Sequence, residues 1–277
     1  MRRTIPRNDL SPAPPNLSHM SKQGKAGKVV LVTGASSGLG EAIGLACAEA
    51  GHRVALTGRR LDRLEALEER IGRPEQTLVM QSDIRDLEQI REMIARTRER
   101  FGRIDALVAN AGVGYEETVA ESTEEHLLHQ VEVNLLGVIR PVREVLPEML
   151  ARGSGHILTI SSVAADIPSP RGVIYAATKG GVSGFTEGLR REVEPQGLHV
   201  TTIQPGFIRT EMTAAVPLPM PPAAVVGRLV VNLLRRPRRR AVVPRYYGFG
   251  IWGSRFAPRV ADRILAWMTA GIEWRKE

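Results

Sequence analysis

Tyr175 and Lys179 stand four residues apart in the stretch YAATK. On a helix, that spacing puts a phenol and an ammonium on one face. A free phenol titrates near pH ~10, too high for efficient proton exchange around neutrality. A neighbouring ammonium stabilises the phenolate and lowers that value, so the pair is expected to act as a proton donor. Such a donor needs a hydrogen-bonding group beside the oxygen on which charge develops. Ser161 and Ser162 end the apolar run HILTISS, and Ser162 lies thirteen residues before Tyr175.

A second group of residues points to a phosphate-bearing ligand. The apolar run KVVLVT leads into TGASSGLG, from Thr33 to Gly40, and a helical pattern opens at its end. Three glycines let the backbone turn tightly and approach a phosphate closely. The unpaired N–H groups of a helix start favour an anion there. Ser36 and Ser37 add hydroxyl donors. The spacing is G-x-x-x-G-x-G, which differs from the commonest dinucleotide fingerprint. At the end of the second apolar run, an NAD-preferring protein usually carries a carboxylate for the ribose hydroxyls. This chain has Gly58-Arg59-Arg60 instead. A guanidinium attracts a 2′-phosphate and can grip it as a fork. NADP(H) is therefore expected over NAD(H), with Arg59 as the main contact and Arg60 as helper.

The elements that must position these groups follow from periodicity. Short apolar runs at 28–33, 53–58, 76–83, 104–110, 155–162 and 198–206 read as strands. Helical spacing fills the intervals, including 87–102, a long segment around 124–152 and another around 174–194. Helices are predicted to end near Gly51 and at Gly72. Strands alternating with helices predict an α/β fold, a doubly wound Rossmann-like parallel sheet with helices on both faces. No linker interrupts the pattern from 28 to about 210, so one domain is expected.

Together these residues resemble the short-chain dehydrogenase/reductase family. The resemblance covers roughly 28–210 and rests on TGASSGLG, SDIRD, NAG, VNLLG, ISS, YAATK and QPGFIRT, in the family's order and spacing. It implies that Tyr175 is the general acid toward a substrate oxygen. Lys179 lowers its pKa and binds the nicotinamide ribose, and Ser162 polarises the carbonyl. Asn134 holds a water that links Lys179 to solvent. Gly34, Ser36, Ser37, Gly38, Leu39 and Gly40 form the cofactor loop. Asp83 and Ile84 flank the adenine, and Asn110, Ala111 and Gly112 line the cofactor side. Pro205, Gly206, Ile208 and Thr210 line the nicotinamide. The implied reaction moves a hydride between NADP(H) and a carbonyl or secondary alcohol, with carbonyl reduction expected in the cell. A homodimer or homotetramer built on the helices around 133–152 and 174–194 is implied as well. A non-catalytic nucleotide-binding or membrane-associated scaffold is the alternative class. A scaffold has no physical need for Ser162, Tyr175 and Lys179 together.

After QPGFIRT the chain departs from that pattern. The segment EMTAAVPLPMPP is short and rich in proline where a long helical lid is usual. A wide apolar pocket mouth and a bulky lipophilic ketone or aldehyde are therefore expected. A helix over 223–236 and a last strand within 239–247 should follow. The catalytic domain is expected over 27–248, with an amphipathic helical tail at 249–277. Val260, Ile264, Trp267, Met268 and Gly271 fall on one face of that tail. That face suits packing within the protein or its oligomer, or peripheral contact with a membrane surface, helped by Trp252 and nearby arginines.

Composition bounds the rest. The 277 residues are 43% hydrophobic, enough for one sizeable core. The net charge is +8, and only five of the 38 basic residues are lysine. A basic balance suits a phosphate ligand or an acidic surface. RRPRRR at 235–240 lies between a helix and a strand and reads as a solvated loop, so no nucleic-acid partner is expected. His126 and His129 sit three apart in HLLH without further ligands; an exposed helix is expected and no metal. The single cysteine, Cys47, reads as buried packing and suits a reducing, cytoplasmic setting. Residues 1–26 are polar and proline-rich, read as a disordered extension with no secretory signal, and Met20 is an alternative start.

Overall fold

The structure, a computed structural model, describes residues 27–214, 216 and 219–269. The amino-terminal extension expected at 1–26 and the end of the tail at 270–277 lie outside these residues. So do the side chains of Ile264, Trp267 and Met268.

Seven strands build one sheet: β1 Val29–Thr33, β2 Arg53–Gly58, β3 Thr77–Gln81, β4 Ala106–Ala109, β5 Gly155–Ile160, β6 Leu198–Pro205 and β7 Arg240–Val243. The order is β3-β2-β1-β4-β5-β6-β7, and every pairing is parallel. Each parallel step needs a crossover, which the helices provide. These are α1 Gly38–Glu49, α2 Leu61–Ile71, α3 Leu87–Phe101, α4 Glu124–Val131, α5 Gly137–Arg152, α6 Val173–Val193 and α7 Ala224–Arg235. The fold is the expected Rossmann-like one. Central strands are buried on both faces, and β1 and β4 are buried along their whole length, as their unbroken apolar runs require. One core layer joins α1, α2 and α7 to the sheet through Ile43, Leu64, Leu67 and Val230. The other joins α3, α5 and α6 through Ile90, Val145, Met149 and Leu189.

Local signals set several boundaries. Asp86 caps α3 by accepting from the backbone N–H groups of Glu88 and Gln89. Gly72 ends α2 in the left-handed conformation, where the sequence placed its stop. The segment expected as continuous helix over 124–152 is interrupted by a π turn at Glu132–Leu136. The cause lies outside the segment. Asn134 points inward, where Nδ2 donates to the Val113 carbonyl at 2.9 Å and Oδ1 accepts from the Val113 N–H at 2.8 Å. The wider turn accommodates that anchor.

At the carboxyl end, helix starts two residues before the expected position 249. After β7 the chain forms α8 Tyr247–Phe256 and α9 Pro258–Thr269. The boundary expected at 248/249 thus falls inside α8. Tyr247 and Ile251, four apart, turn inward, and Ile251 is buried. The Tyr247 ring lies against Gly206, so closely that a Cβ there would stand 2.2 Å from it.

Candidate active site

The strand order reverses between β1 and β4, and the crevice beyond their carboxyl ends is where such sheets bind ligands. A cleft of about 380 Å³ opens there. It runs from Arg59 and Asp83 past the glycine loop to Ser162, Tyr175 and Lys179. Of the site residues read from the sequence, only Gly40 and Asn134 do not line it. Both sit just behind the wall. A Cβ at Gly40 would lie 2.2 Å from the Gly34 carbonyl and 2.6 Å from Asn110 Nδ2, so only glycine lets α1 reach the loop. Asn134 is fully buried and also donates to the Thr178 hydroxyl at 3.1 Å.

At the loop, Ser37 begins α1, yet its hydroxyl does not cap the helix. The first-turn N–H groups of α1 are left for another acceptor. Leu39 and Ala111 line the cleft beside it. Asn110 Nδ2 donates to the carbonyls of Thr33 and Gly34 at 2.9 and 3.1 Å, tying the end of β4 to that of β1. The Thr33 hydroxyl accepts from the N–H groups of Asn110 and Ala111. An elongated cleft with helix-start donors at its middle fits a dinucleotide phosphate.

At the end of the cleft beside β2 and β3, Asp83 is held by Arg85 at 2.6 Å. Hydrogen bonding from Arg85 holds the Asp83 carboxyl below its usual range despite partial burial. Ile84 packs behind it, 8% exposed. The two arginines behave differently. Arg59 is exposed, and its guanidinium makes no hydrogen bond or ion pair among the described residues. Arg60 folds over the loop, with Nη2 donating to Ser37 Oγ at 2.6 Å and Nε to Ser36 Oγ at 3.4 Å.

The chemical end is built on β5 and α6. Ser161 is buried and committed, donating to the Lys179 carbonyl at 2.9 Å with Ser183 Oγ at 2.8 Å. Ser162 faces the cleft and accepts the Ala164 N–H at 3.1 Å. The structure thus separates two adjacent serines that composition cannot. Tyr175 is half-buried in the cleft wall. Burial pushes its phenol above the ordinary value, and hydrogen bonding with Ser162 offsets part of that. The expected lowering by Lys179 does not follow from the geometry. Lys179 Nζ stands 5.7 Å from the phenol ring centre and donates to the Ile160 carbonyl at 3.0 Å. The amine is itself desolvated, 3% exposed, and its pKa falls to about 8. Nζ and Asn134 Oδ1 both flank one point at Gly112, each 3.3 Å from where a Cβ would stand.

Pro205, Gly206, Ile208 and Thr210 form the floor and rim on the β6 side. Four residues there were not foreseen: Glu211, Met212, Thr213 and Tyr247. Thr213 Oγ1 donates to the Ile208 carbonyl, fixing the short turn Glu211–Thr213. A Cβ at Gly114 would lie 3.5 Å from the Tyr175 ring and 3.9 Å from Met212 Sδ, so Gly114 is neighbour to both. Met212 and Tyr247 of α8 thus add side chains on this side of the site beyond those read from the sequence. The contacts of Met212 with Gly114 and of Tyr247 with Gly206 span long sequence separations, and no local pattern marks them.

The histidines of α4 depart from the exposed helix that was expected. His126 stacks on Tyr115 at 3.9 Å and bonds Glu117 at 2.8 Å. His129 Nδ1 lies 2.6 Å from the Tyr115 hydroxyl. Both histidines are half-buried, and no cluster able to hold a metal occurs among the described residues. Cys47 is buried, which pushes its thiol up to about 12. Residues 235–240 are exposed, with Arg239 and Arg240 paired to Glu187 and Asp166.

A parallel sheet of this order, with a glycine loop and a Ser-Tyr-Lys set on one cleft, defines a nucleotide-dependent oxidoreductase class. Comparison with known proteins agrees. Residues 28–219 match the family model described as short chain dehydrogenase, and the chain belongs to that family. It is 34% identical over 194 residues to the 3-oxoacyl-[acyl-carrier-protein] reductase FabG of Staphylococcus aureus, covering 69% of this chain and 79% of that one. It is 37% identical over 188 residues to an uncharacterized oxidoreductase of Staphylococcus saprophyticus, covering 67% and 80%. Among solved structures, an actinorhodin polyketide ketoreductase variant with NADPH aligns with TM-score 0.73 and 28% identity, over 78% of this chain and 95% of that one. A 3-ketoacyl-(acyl-carrier-protein) reductase from Brucella melitensis complexed with NADH aligns with TM-score 0.73 and 27% identity, over 78% and 96%. The protein is an oxidoreductase of the NAD(P)-dependent kind that acts on CH–OH or carbonyl groups.

Proposed function

We propose that the protein reduces a lipophilic ketone or aldehyde with NADPH, using Tyr175 as proton donor. The observation that carries this is the convergence of Ser162, Tyr175 and Lys179 on one cleft wall. NADP(H), when bound, supplies or accepts the hydride at the substrate carbon. Ser162, with its hydroxyl turned to the cleft, orients the substrate oxygen and stabilises charge there. Tyr175 gives that oxygen its proton. Lys179, with a pKa near 8, restores the proton and holds the cofactor ribose. A water beside Asn134 and Gly112 carries the proton on from solvent. Met212, Gly114 and Tyr247 give the substrate side an apolar lining, which supports a lipophilic carbonyl. Arg59, exposed and without an ion pair among the described residues, and Arg60 support the NADP(H) preference.

Changing Tyr175→Phe should leave NADPH binding intact and lower turnover roughly a hundredfold or more. Near wild-type reductase activity in that variant would refute the role.

We also read the protein as cytoplasmic and a homodimer or homotetramer joined through α5 and α6. A second surface favours peripheral contact with an anionic membrane. Tyr246, Phe249, Trp252 and Phe256 are 58%, 79%, 65% and 71% exposed, beside the exposed Arg245, Arg259 and Arg263. Aromatic rings among arginines suit the interface of an acidic bilayer.

A further inference from the structure

We propose that Glu211 is an internal stand-in for the cofactor's 2′-phosphate, holding Arg60 and Arg63 until NADP(H) displaces it. The proposal rests on the reading of the cleft as an NADP(H) site. Glu211 opens the turn Glu211–Thr213, which crosses the cleft mouth. A Cβ at Gly38 would meet the neighbouring Thr210 side chain at 3.4 Å. From the opposite side come Arg60, at the start of α2, and Arg63, in its first turn. Glu211 Oε2 lies 3.3 Å from Arg60 Nη1, and Oε1 accepts from Arg63 Nη1. One carboxylate is gripped on both oxygens by two guanidiniums. Arg60 in turn bonds Ser36 and Ser37, so the carboxylate closes a chain from the lid turn to the phosphate loop.

This grip does little for the fold. The side chains of Glu211, Arg60 and Arg63 are 60%, 41% and 43% exposed, and exposed ion pairs contribute little stability. Its place explains it better. Two guanidiniums at the ribose end of the cleft match a phosphate dianion as well as they match a carboxylate. Hydrogen bonding from Arg63, then Arg60, holds Glu211 below its usual range, so it is ionised near neutrality. A 2′-phosphate entering there must displace a like charge. A cofactor with a free 2′-hydroxyl leaves the grip closed. The opposing carboxylate therefore tempers NADP(H) affinity selectively, and the lid turn is freed only by the phosphorylated cofactor.

The test is a titration of the full chain with NADPH, NADH, 2′,5′-ADP and 5′-AMP. It compares wild type with Glu211→Gln and Glu211→Ala. Glu41→Gln, which breaks the ion pair between Glu41 of α1 and Arg70 of α2, is the charge-matched control. Both Glu211 variants should bind NADPH and 2′,5′-ADP roughly three- to tenfold tighter at low salt. NADH and 5′-AMP should change less than about twofold, and the gain should shrink as salt rises. The control should leave the NADPH/NADH ratio unchanged. A ratio unaltered by either Glu211 variant, beside a clear wild-type preference for NADPH, overturns the role of Glu211 alone. Wild type binding NADH as tightly as NADPH overturns the NADP(H) reading and this proposal with it.

Discussion

Lys179 carries a charge that the fold disfavours. Its folded pKa of about 8 lies below the ordinary value of 10.5, and burial is the cause. Between those values the unfolded chain keeps a proton that the folded chain has released. The unfolded state then binds more protons, so stability rises with pH across this window. Below pH 8 both states are protonated and the burial penalty is present in full. Measured by urea unfolding, wild type should gain on Lys179→Met by roughly 1 kcal/mol per pH unit from pH 8 to 10. A difference that stays flat across that range contradicts the assignment. Arg59 allows a second test at the same scale. Arg59→Asp should invert the preference between NADPH and NADH in binding, and unchanged NADPH affinity would contradict it. The Tyr175–Lys179 pair was legible because four residues on a helix fix a shared face. The electrostatic sense of the pair was not. Whether an amine lowers a phenol's pKa depends on desolvation and on what else the amine bonds, here the Ile160 carbonyl from a neighbouring strand. Glu211 was equally hidden, since its partners Arg60 and Arg63 lie about 150 residues earlier in the chain.

At the scale of elements, the sequence pattern placed all seven strands and their crossovers, because buried parallel strands are unbroken apolar runs. It failed where a tertiary contact overrides local pattern. The π turn at Glu132–Leu136 exists for the anchor between Asn134 and Val113. Helix α8 begins at Tyr247 because that ring and Ile251 bury on one face, leaving Phe249 and Trp252 on the other. That outer face carries the membrane prediction. The protein should co-sediment with phosphatidylglycerol vesicles at low salt, and Phe249→Ser/Trp252→Ser should weaken this several-fold. Equal sedimentation with zwitterionic vesicles, or none at all, would contradict it. A variant that instead lowers the oligomeric state would assign the face to a second copy of the chain.

For the whole molecule, alternating strands and helices dictated a doubly wound sheet, and the sheet's reversal between β1 and β4 dictated where ligands gather. Residues from the ends of β1, β2, β4, β5 and β6 meet there, which is why motifs scattered from Gly34 to Thr210 form one cleft. The substrate side was less legible, because Met212 and Tyr247 arrive from segments without a motif. The reaction proposed for this cleft is hydride transfer to a lipophilic carbonyl. The most direct measurement follows deuterium from 4-deuterated NADPH, of each face in turn, into products from ketones and aldehydes of graded size and polarity. Label should appear on the carbinol carbon from one face only, with larger apolar carbonyls favoured and transfer lost in Tyr175→Phe. NADPH bound tightly with no label entering any product of the series would contradict it.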